Sequence, residues 1–348
     1  MQITKIQWCD GTINPVMGCD GCPLRLSDRA VCSEIENRLR CEVENITKES
    51  IQGILTSYIV DEDPNRRRRI ENSIANAGIS GLKKNQLRLM TQRIYSQTSA
   101  CYAGKVIDAV GIHRQGHPDR FEDVTLYPGR METAARTRPL LGLDRTNKPW
   151  LNGFPRLWFV SDMGDALSNG VSFEYLENEI VDVATSPNGS RHVWLWLTKR
   201  PRRMLEFAEY LRSRGKEWPI NVVPMSSVID QRMARQVDYL RQVPAVCRGL
   251  SVEPLREPVN LDLTGIDWVI VGGESGPQAA DFDLQWALDL KDECERKGVA
   301  FFVKQLGANP IFNGERLTLK DSHGGDWDEW PDRLRVRSLP EKFKDLVL

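Results

Sequence analysis

The sequence predicts an α/β protein built as a full or partial (β/α) barrel. From about residue 120 onward, short apolar segments alternate with segments of helical periodicity. The apolar segments are nearly continuous, which is typical of parallel strands that helices cover on both faces. Polar residues collect directly after these segments, at the strand ends that form the functional edge of parallel α/β folds. A doubly wound open sheet is the alternative that this pattern leaves open.

The predicted elements follow one another along the chain in a regular order. The helix predicted over 201–215 begins with proline and ends at glycine, and the helix over 281–298 has an aspartate cap and a closing glycine. Two further helices are predicted over 173–185 and 231–243. About eight strands are expected, near residues 3–8 and within 123–129, 155–165, 191–201, 219–230, 247–255, 266–276 and 299–307.

The composition is that of a globular protein. The chain has 348 residues, of which 41% are hydrophobic and 27% charged, and its formal net charge is −1. This balance gives no global attraction to nucleic acid or to a membrane surface. No apolar run approaches the roughly 20 residues of a membrane span, and the first residues lack an apolar signal core. We therefore expect a cytoplasmic protein that does not engage a membrane.

The pattern divides the chain into four segments. Residues 1–22 hold the first barrel strand and a cysteine loop, 23–100 a helical basic insertion, 101–307 the (β/α) barrel, and 308–348 a tail that packs across the outside of the barrel. The insertion is a candidate nucleic-acid surface, because residues 64–98 hold eight basic residues against one acid. A solvated helix face is the competing interpretation. The basic residues are Arg66, Arg67, Arg68, Arg69, Lys83, Lys84, Arg88 and Arg93.

Six of the eight cysteines lie in the first 101 residues, so any metal chemistry is expected there. Cys19 and Cys22 form a C-x-x-C pair after the first predicted strand, and Cys101 offers a third thiol. Three thiolates on a four-iron cluster leave one iron open to a small chelating molecule. A structural zinc site requires a fourth ligand. The spacing leaves both metals open, and the thiols available as that fourth ligand, or in place of Cys22, are Cys9, Cys32 and Cys41.

Seven stretches together resemble one family over most of the chain outside the insertion: "TKIQWCDGTINPVMGC", "CYAG", "FVSDMGD", "WLTKRPRRM", "SVEPL", "IDWVIVGGESGP" and "FFVKQLG". They look like the phage-associated Gp-thirty-seven/Gp-sixty-eight family, whose function is unknown and which is similar to radical S-adenosylmethionine enzymes. The resemblance implies a barrel of that type and a [4Fe-4S] cluster on Cys19, Cys22 and Cys101. The chain departs from the usual compact motif because the insertion separates Cys22 from Cys101.

The resemblance also implies a reaction. The open iron would chelate S-adenosylmethionine, an electron would cleave its sulfonium bond, and the resulting 5′-deoxyadenosyl radical would abstract hydrogen from a substrate. The sequence does not identify that substrate, and the basic insertion is its one hint of a nucleotide or nucleic acid. The alternative is a module stabilised by zinc or an iron–sulfur cluster that binds nucleic acid or a partner enzyme without catalysis.

Candidate cofactor-binding residues follow the predicted strands. Four acceptors are expected on ribose hydroxyls or the amino group of S-adenosylmethionine: Ser161, Asp162, Glu253 and Glu274. Three cations, Lys199, Arg200 and Lys304, suit a carboxylate or phosphate. Gly272 and Gly273 allow close backbone approach to a ligand, and Tyr102 would shield the cluster. The competing interpretation is that these residues are ordinary helix starts, caps and turns.

Overall fold

The computed structural model describes residues 4–20, 103, 118, 121, 123–276 and 279–348. Its main feature is a seven-stranded parallel sheet that curls into a half-barrel. Neighbouring strands follow chain order: β1 (Gly11–Ile13), β4 (Arg156–Val160), β5 (His192–Thr198), β6 (Val222–Ser227), β7 (Gly249–Val252), β8 (Trp268–Gly272) and β10 (Ala300–Gln305). Smaller sheets pair β2 (Val16–Met17) with β3 (Thr125–Leu126), and β9 (Phe282–Asp283) with β11 (Pro310–Phe312) and β12 (Glu315–Arg316). The partial form of the predicted barrel is therefore confirmed.

The helices of the described residues connect these strands. Two of them have the predicted ends. Helix α4 (Pro201–Ser213) begins at Pro201. Helix α7 (Leu284–Lys297) is capped by Asp283, which accepts from Gln285 N, and ends at Gly298 with a φ of 67°. A π-helical turn over Glu177–Val181 separates α2 (Phe173–Leu176) from α3 (Asp182–Thr185) within the segment predicted as one helix. The bounds are α1 (Arg130–Ala135), α2 (Phe173–Leu176), α3 (Asp182–Thr185), α4 (Pro201–Ser213), α5 (Gln231–Ala234), α6 (Val237–Gln242) and α7 (Leu284–Lys297). Short 3-10 turns cover Pro149–Leu151, Gly189–Arg191, Trp327–Glu329, Asp332–Leu334 and Glu341–Asp345.

The two faces of the sheet are covered by different parts of the chain. Trp196 on β5 packs against Phe207 of α4, with ring centroids 5.6 Å apart. Its neighbour Leu195 points to the opposite face, because side chains alternate along a strand. That opposite face forms a core cluster with the segment around Trp8 and with the C-terminal tail. Helices thus cover one face, and chain termini cover the other.

The C-terminal tail fills the face that the helices leave open. Phe343 is fully buried in the core cluster, and its ring meets the Trp268 ring edge-on at 5.5 Å. Val303 N donates to Val336 O at 2.8 Å, and Ser338 N donates to Phe301 O at 3.0 Å, so the tail also covers the edge of β10. The sequence predicted packing on the outside of the barrel, whereas the tail packs on the face opposite to α4.

The first barrel strand lies later in the chain than predicted. Residues 4–8 form no strand, and β1 begins at Gly11. The reason is a lysine that takes their backbone acceptors: Lys148 Nζ donates to the carbonyls of Thr4, Ile6 and Cys9 at 3.1, 2.5 and 2.6 Å. The predicted strand within 123–129 also contributes only β3, outside the main sheet, so the half-barrel has seven strands rather than eight.

The chain divides into two compact units. Residues 1–17 and 126–348 form the first, which contains the half-barrel, and residues 18–125 form the second. Within the second unit, Cys19 N donates to Phe121 O at 2.8 Å. Gly18 has a φ of 83°, and a Cβ at this position would lie 2.6 Å from Asp123 O, so the turn requires glycine. Among the described residues, no helix is long and apolar enough to cross a membrane.

Candidate functional site

The face of the sheet that carries the core cluster becomes polar at the carboxyl ends of the strands. Val223 and Met225 of β6 belong to the cluster, so Ser227 continues the same face. The same two-residue period leads from the apolar residues of the next strands to Ser251 on β7, Gly272 on β8 and Lys304 on β10. The predicted polar edge of the sheet therefore exists, and part of it faces the interior of the half-barrel.

The ends of β7, β8 and β10 bring together a group of polar side chains around Glu253 at one side of this edge. Lys304 Nζ lies 3.1 Å from Glu253 Oε1, and Ser251 Oγ donates to Glu253 Oε2 at 3.1 Å. The Glu253 side chain is only 11% exposed, so this carboxylate is held by both partners in a largely desolvated position. A Cβ on Gly272 would lie 2.8 Å from Glu253 Oε1, so the glycine leaves the space that the carboxylate fills.

The residues after β8 are engaged with neighbouring protein atoms. A Cβ on Gly273 would lie 2.3 Å from the carbonyl oxygen of Leu306, so backbone approaches backbone here. Glu274 Oε2 accepts from Arg256 Nη2 at 2.9 Å and from Ala280 N at 3.3 Å. Both glycines of the pair accommodate protein atoms in this structure, and ligand contact through them and through Glu274 stays a prediction.

Ser161 lies just after β4 and has two unusual properties. Its φ is 71°, in the left-handed region that non-glycine residues rarely adopt. The residue is 4% exposed, and within the described part of the chain its buried Oγ has no hydrogen-bond partner. Its backbone N donates to Ile13 O of the neighbouring β1 at 2.9 Å. Strain and an unsatisfied buried hydroxyl occur together at functional sites, so Ser161 is the strongest ligand-binding candidate.

Asp162 and Asn14 join the ends of β4 and β1. Asn14 Nδ2 donates to Asp162 Oδ1, while Asn14 Oδ1 accepts from Met163 N at 3.0 Å. Both side chains thus occupy fixed positions next to Ser161. Asn14 was not among the predicted site residues, although it follows the "GTI" segment that forms β1. The pairing depends on the parallel contact of two strands that are far apart in sequence.

Lys199 follows β5 and supplies a cation to the edge. In the described residues, its ammonium group has no hydrogen bond or ion pair, and the residue is half-buried. Its backbone N donates to Asp165 Oδ2 at 3.0 Å, and Thr198 Oγ1 donates to the same carboxylate at 2.9 Å. Asp165 therefore fixes the position of Lys199, a role that the sequence analysis missed because it joins two loops 34 residues apart.

The cysteines are only partly described. Cys19 is buried and follows β2 by two residues. Cys9 lies in the core cluster, where burial raises the pKa of its thiol. Across residues 4–20, 123–276 and 279–348, no group of three or more His, Cys, Asp or Glu side chains is arranged to hold a metal ion. The other predicted ligands and the basic insertion lie outside the described residues: Cys22, Cys32, Cys41, Cys101, Tyr102, Arg66, Arg67, Arg68, Arg69, Lys83 and Lys84.

The fold and the edge define an α/β half-barrel protein with a polar, partly strained site at the carboxyl ends of its parallel strands. The chain belongs to the family described as "Protein of unknown function (DUF5131)", whose model matches residues 91–331. No curated protein and no solved structure matches the chain. The family match provides no link to radical S-adenosylmethionine enzymes or to the phage-associated family. Any functional assignment therefore depends on the site itself.

Proposed function

We propose that this protein is a radical S-adenosylmethionine-like iron–sulfur enzyme acting on a nucleotide or nucleic acid. One observation carries the proposal: the chain runs from β1, the edge strand of the parallel half-barrel, through β2 directly into the Cys19-x-x-Cys22 segment. The proposed ligands of a [4Fe-4S] cluster are Cys19, Cys22 and Cys101. Fold alone does not establish function, so the proposal also has to agree with the site residues.

Two features of the described residues fit a protein that binds both a [4Fe-4S] cluster and S-adenosylmethionine. Cys19 is buried, and cysteine thiolates are the ligands of iron–sulfur clusters. Ser161 Oγ is a buried hydroxyl for which the described residues provide no partner. A polar ligand at the carboxyl edge would satisfy this hydroxyl and remove the cost of leaving it unbonded.

The residues of the edge offer complementary charges to an amino acid moiety. The Lys199 ammonium and the Ser161 hydroxyl would bind a carboxylate, since both are donors that are unused in the described structure. The Glu253 carboxylate would accept from an amino group or ribose hydroxyls while Lys304 and Ser251 hold it in place. Because Lys304 and Ser251 hold the Glu253 carboxylate before binding, little entropy of this side chain is lost when the ligand is ordered.

When bound, a reduced cluster supplies the electron for cleavage of the sulfonium C–S bond of S-adenosylmethionine. The role of the protein is then to orient the substrate and to exclude water. The buried apolar core cluster, which lies on the same face of the sheet as the polar edge, would serve the second role. The alternative function, a zinc- or cluster-stabilised binding module without catalysis, shares the cysteines but needs no S-adenosylmethionine.

Anaerobic reconstitution tests the proposal directly. Wild-type protein, Cys19→Ala and Cys294→Ala are loaded with iron and sulfide, and metal content and absorption are measured. We expect about four irons per chain in the wild type and loss of the cluster in Cys19→Ala. Cys294→Ala is the matched control, because Cys294 is also a buried cysteine but lies in α7. Thermal melts of all three proteins separate cluster loss from unfolding.

Two results would contradict the assignment. A colourless protein that retains stoichiometric zinc after anaerobic reconstitution supports the non-catalytic module instead. An unchanged spectrum in Cys19→Ala removes Cys19 from the ligand set and leaves Cys9, Cys32 and Cys41 as the thiols to be tested next.

A further inference from the structure

A surface cavity of about 340 Å³ lies between the start of α4 and helix α6. The N-cap and the first two turns of α4 contribute three arginines and one glutamate to the lining, Arg200, Arg202, Arg203 and Glu206. Three guanidinium groups against one carboxylate give the cavity an excess of positive charge. Such a surface attracts anions, and arginine binds phosphate oxygens in a bidentate geometry.

Arg203 is held in place before any ligand binds. Its Nη2 donates to Val171 O at 2.8 Å, and its guanidinium carbon lies 4.6 Å from the centroid of the Phe173 ring. Its Nε is buried and, within the described structure, has no hydrogen-bond partner. Arg202 uses Nε on Glu206 at 3.1 Å, and its side chain is 73% exposed. The cavity is thus lined by one positioned guanidinium, that of Arg203, and by a second, exposed one, that of Arg202.

The opposite wall carries an aromatic ring and amide groups. Tyr239 of α6 is 37% exposed, and no other aromatic ring or cation of the described residues stacks on it. The side-chain amides of Gln236 and Asn169 also line the cavity, and they have no hydrogen-bond partners among the described residues. A flat exposed ring beside free amides suits a nucleobase, which stacks on aromatic faces and offers hydrogen bonds at its edges.

We propose that this cavity binds a phosphorylated nucleoside, with its phosphate on the arginines and its base on Tyr239. The volume is near the lower end of the 300–1,000 Å³ typical of ligand pockets, so it suits a single nucleotide rather than a duplex. A free nucleotide and the 5′-phosphorylated end of a single strand share this chemistry. The site does not involve the cysteines, so it is independent of the proposed cluster.

Calorimetric titration of the full-length, cluster-free protein tests this site. The probes are adenosine monophosphate, adenosine and inorganic phosphate. We expect Arg203→Gln to weaken adenosine monophosphate and phosphate by about tenfold or more. Tyr239→Ala is expected to weaken adenosine monophosphate by about 5- to 100-fold and to leave phosphate unchanged. Arg202→Gln repeats the phosphate test at an exposed position that does not support the fold.

The control variant is Arg212→Gln, which removes an exposed arginine from the last turn of the same helix. Binding that is lost equally in this variant, or that is unchanged in all cavity variants, overturns the proposal, as does the absence of adenosine monophosphate binding to the wild type. Short oligonucleotides with and without a 5′-phosphate distinguish the two sources. A preference for the phosphorylated strand over the free nucleotide assigns the site to nucleic-acid ends, and the reverse preference assigns it to free nucleotides.

Discussion

For Ser161, the position in the fold could be predicted from the sequence, but the backbone conformation and the environment of the hydroxyl could not. Its place after an apolar run predicts a position at the edge of the sheet, and the structure places it there. No sequence signal marks its positive φ or its buried hydroxyl, which has no partner among the described residues, because serine is common in ordinary turns. Asn14 and Asp165 were missed for a related reason: each acts through a contact with a distant loop rather than through its own neighbours.

Gly273 provides a stability test at the scale of one residue. A methyl group at this position would lie 2.3 Å from Leu306 O, a backbone atom that moves only if β10 moves. We expect Gly273→Ala to lower the free energy of unfolding by about 1–3 kcal/mol. Gly170→Ala is the matched control, because no atom of the described residues lies within 4 Å of the added carbon, and a change within about 0.5 kcal/mol is expected. Equal denaturation midpoints for the two variants would contradict the close backbone approach.

His192 provides a pH test. Burial, reinforced by the neighbouring cations Arg156 and Arg191, lowers the pKa of this imidazole to about 4, and its Nε2 lies 2.9 Å from Ala135 O. The unfolded chain therefore binds an extra proton between about pH 4 and 6.5, so this residue makes the folded state less stable as the pH falls through that range. Denaturant titrations at several pH values should show that lowering the pH from about 6.5 to about 4 reduces the free energy of unfolding less in His192→Gln than in the wild type. A difference between the two proteins that is independent of pH would refute this assignment.

At the scale of elements, prediction succeeded where local signals are strong. The apolar runs of β5, β6 and β8 and the proline and glycine ends of α4 and α7 are encoded in a few adjacent residues. It failed at the N-terminus, where Lys148 takes the carbonyl groups that a strand would use. The π-helical turn after α2 was also missed. There the buried Glu177 carboxylate contacts Arg214 and Lys216, and these ion pairs join segments more than 30 residues apart.

The ion pair at the start of β1 provides a test at this scale. Asp10 accepts from Arg145 Nε and Nη2 at 3.1 and 3.2 Å and from Leu157 N at 2.9 Å, with both charged side chains 10% exposed or less. We expect Asp10→Asn to cost about 3 kcal/mol, because it leaves a buried guanidinium without its counter-charge. Asp292→Asn, in an exposed pair with Arg333, should change stability by less than about 1 kcal/mol. Equal effects in chemical denaturation would show that burial does not determine the strength of these pairs.

At the scale of the whole molecule, the alternation of strands and helices predicted a barrel, and the structure is its partial form. Whether the barrel closes was not predictable, because the segment within 123–129 that was predicted as a barrel strand contributes β3 to a two-stranded sheet instead. The role of the tail was not predictable either. Its apolar residues indicate that it packs, but only the open half-barrel reveals the face on which Leu339, Phe343 and Leu346 are buried.

The tail therefore provides the test of the whole fold. Phe343 is fully buried against Trp268, so we expect Phe343→Ala to lower the free energy of unfolding by about 3–5 kcal/mol. Leu348→Ala changes the same tail at a residue that is 89% exposed and should be neutral within about 0.5 kcal/mol. If the two variants unfold at the same denaturant concentration, the tail is not a component of the core.

Cleavage of S-adenosylmethionine is the reaction that a cluster on the cysteine segment and a cofactor at the polar edge would carry out together. Reconstituted protein is reduced under anaerobic conditions with S-adenosylmethionine, and 5′-deoxyadenosine is quantified by chromatography. We predict that the wild type forms 5′-deoxyadenosine, that Cys19→Ala forms none, and that Cys294→Ala retains the activity. Wild-type protein that carries about four irons per chain and yet produces no 5′-deoxyadenosine would contradict the proposed function.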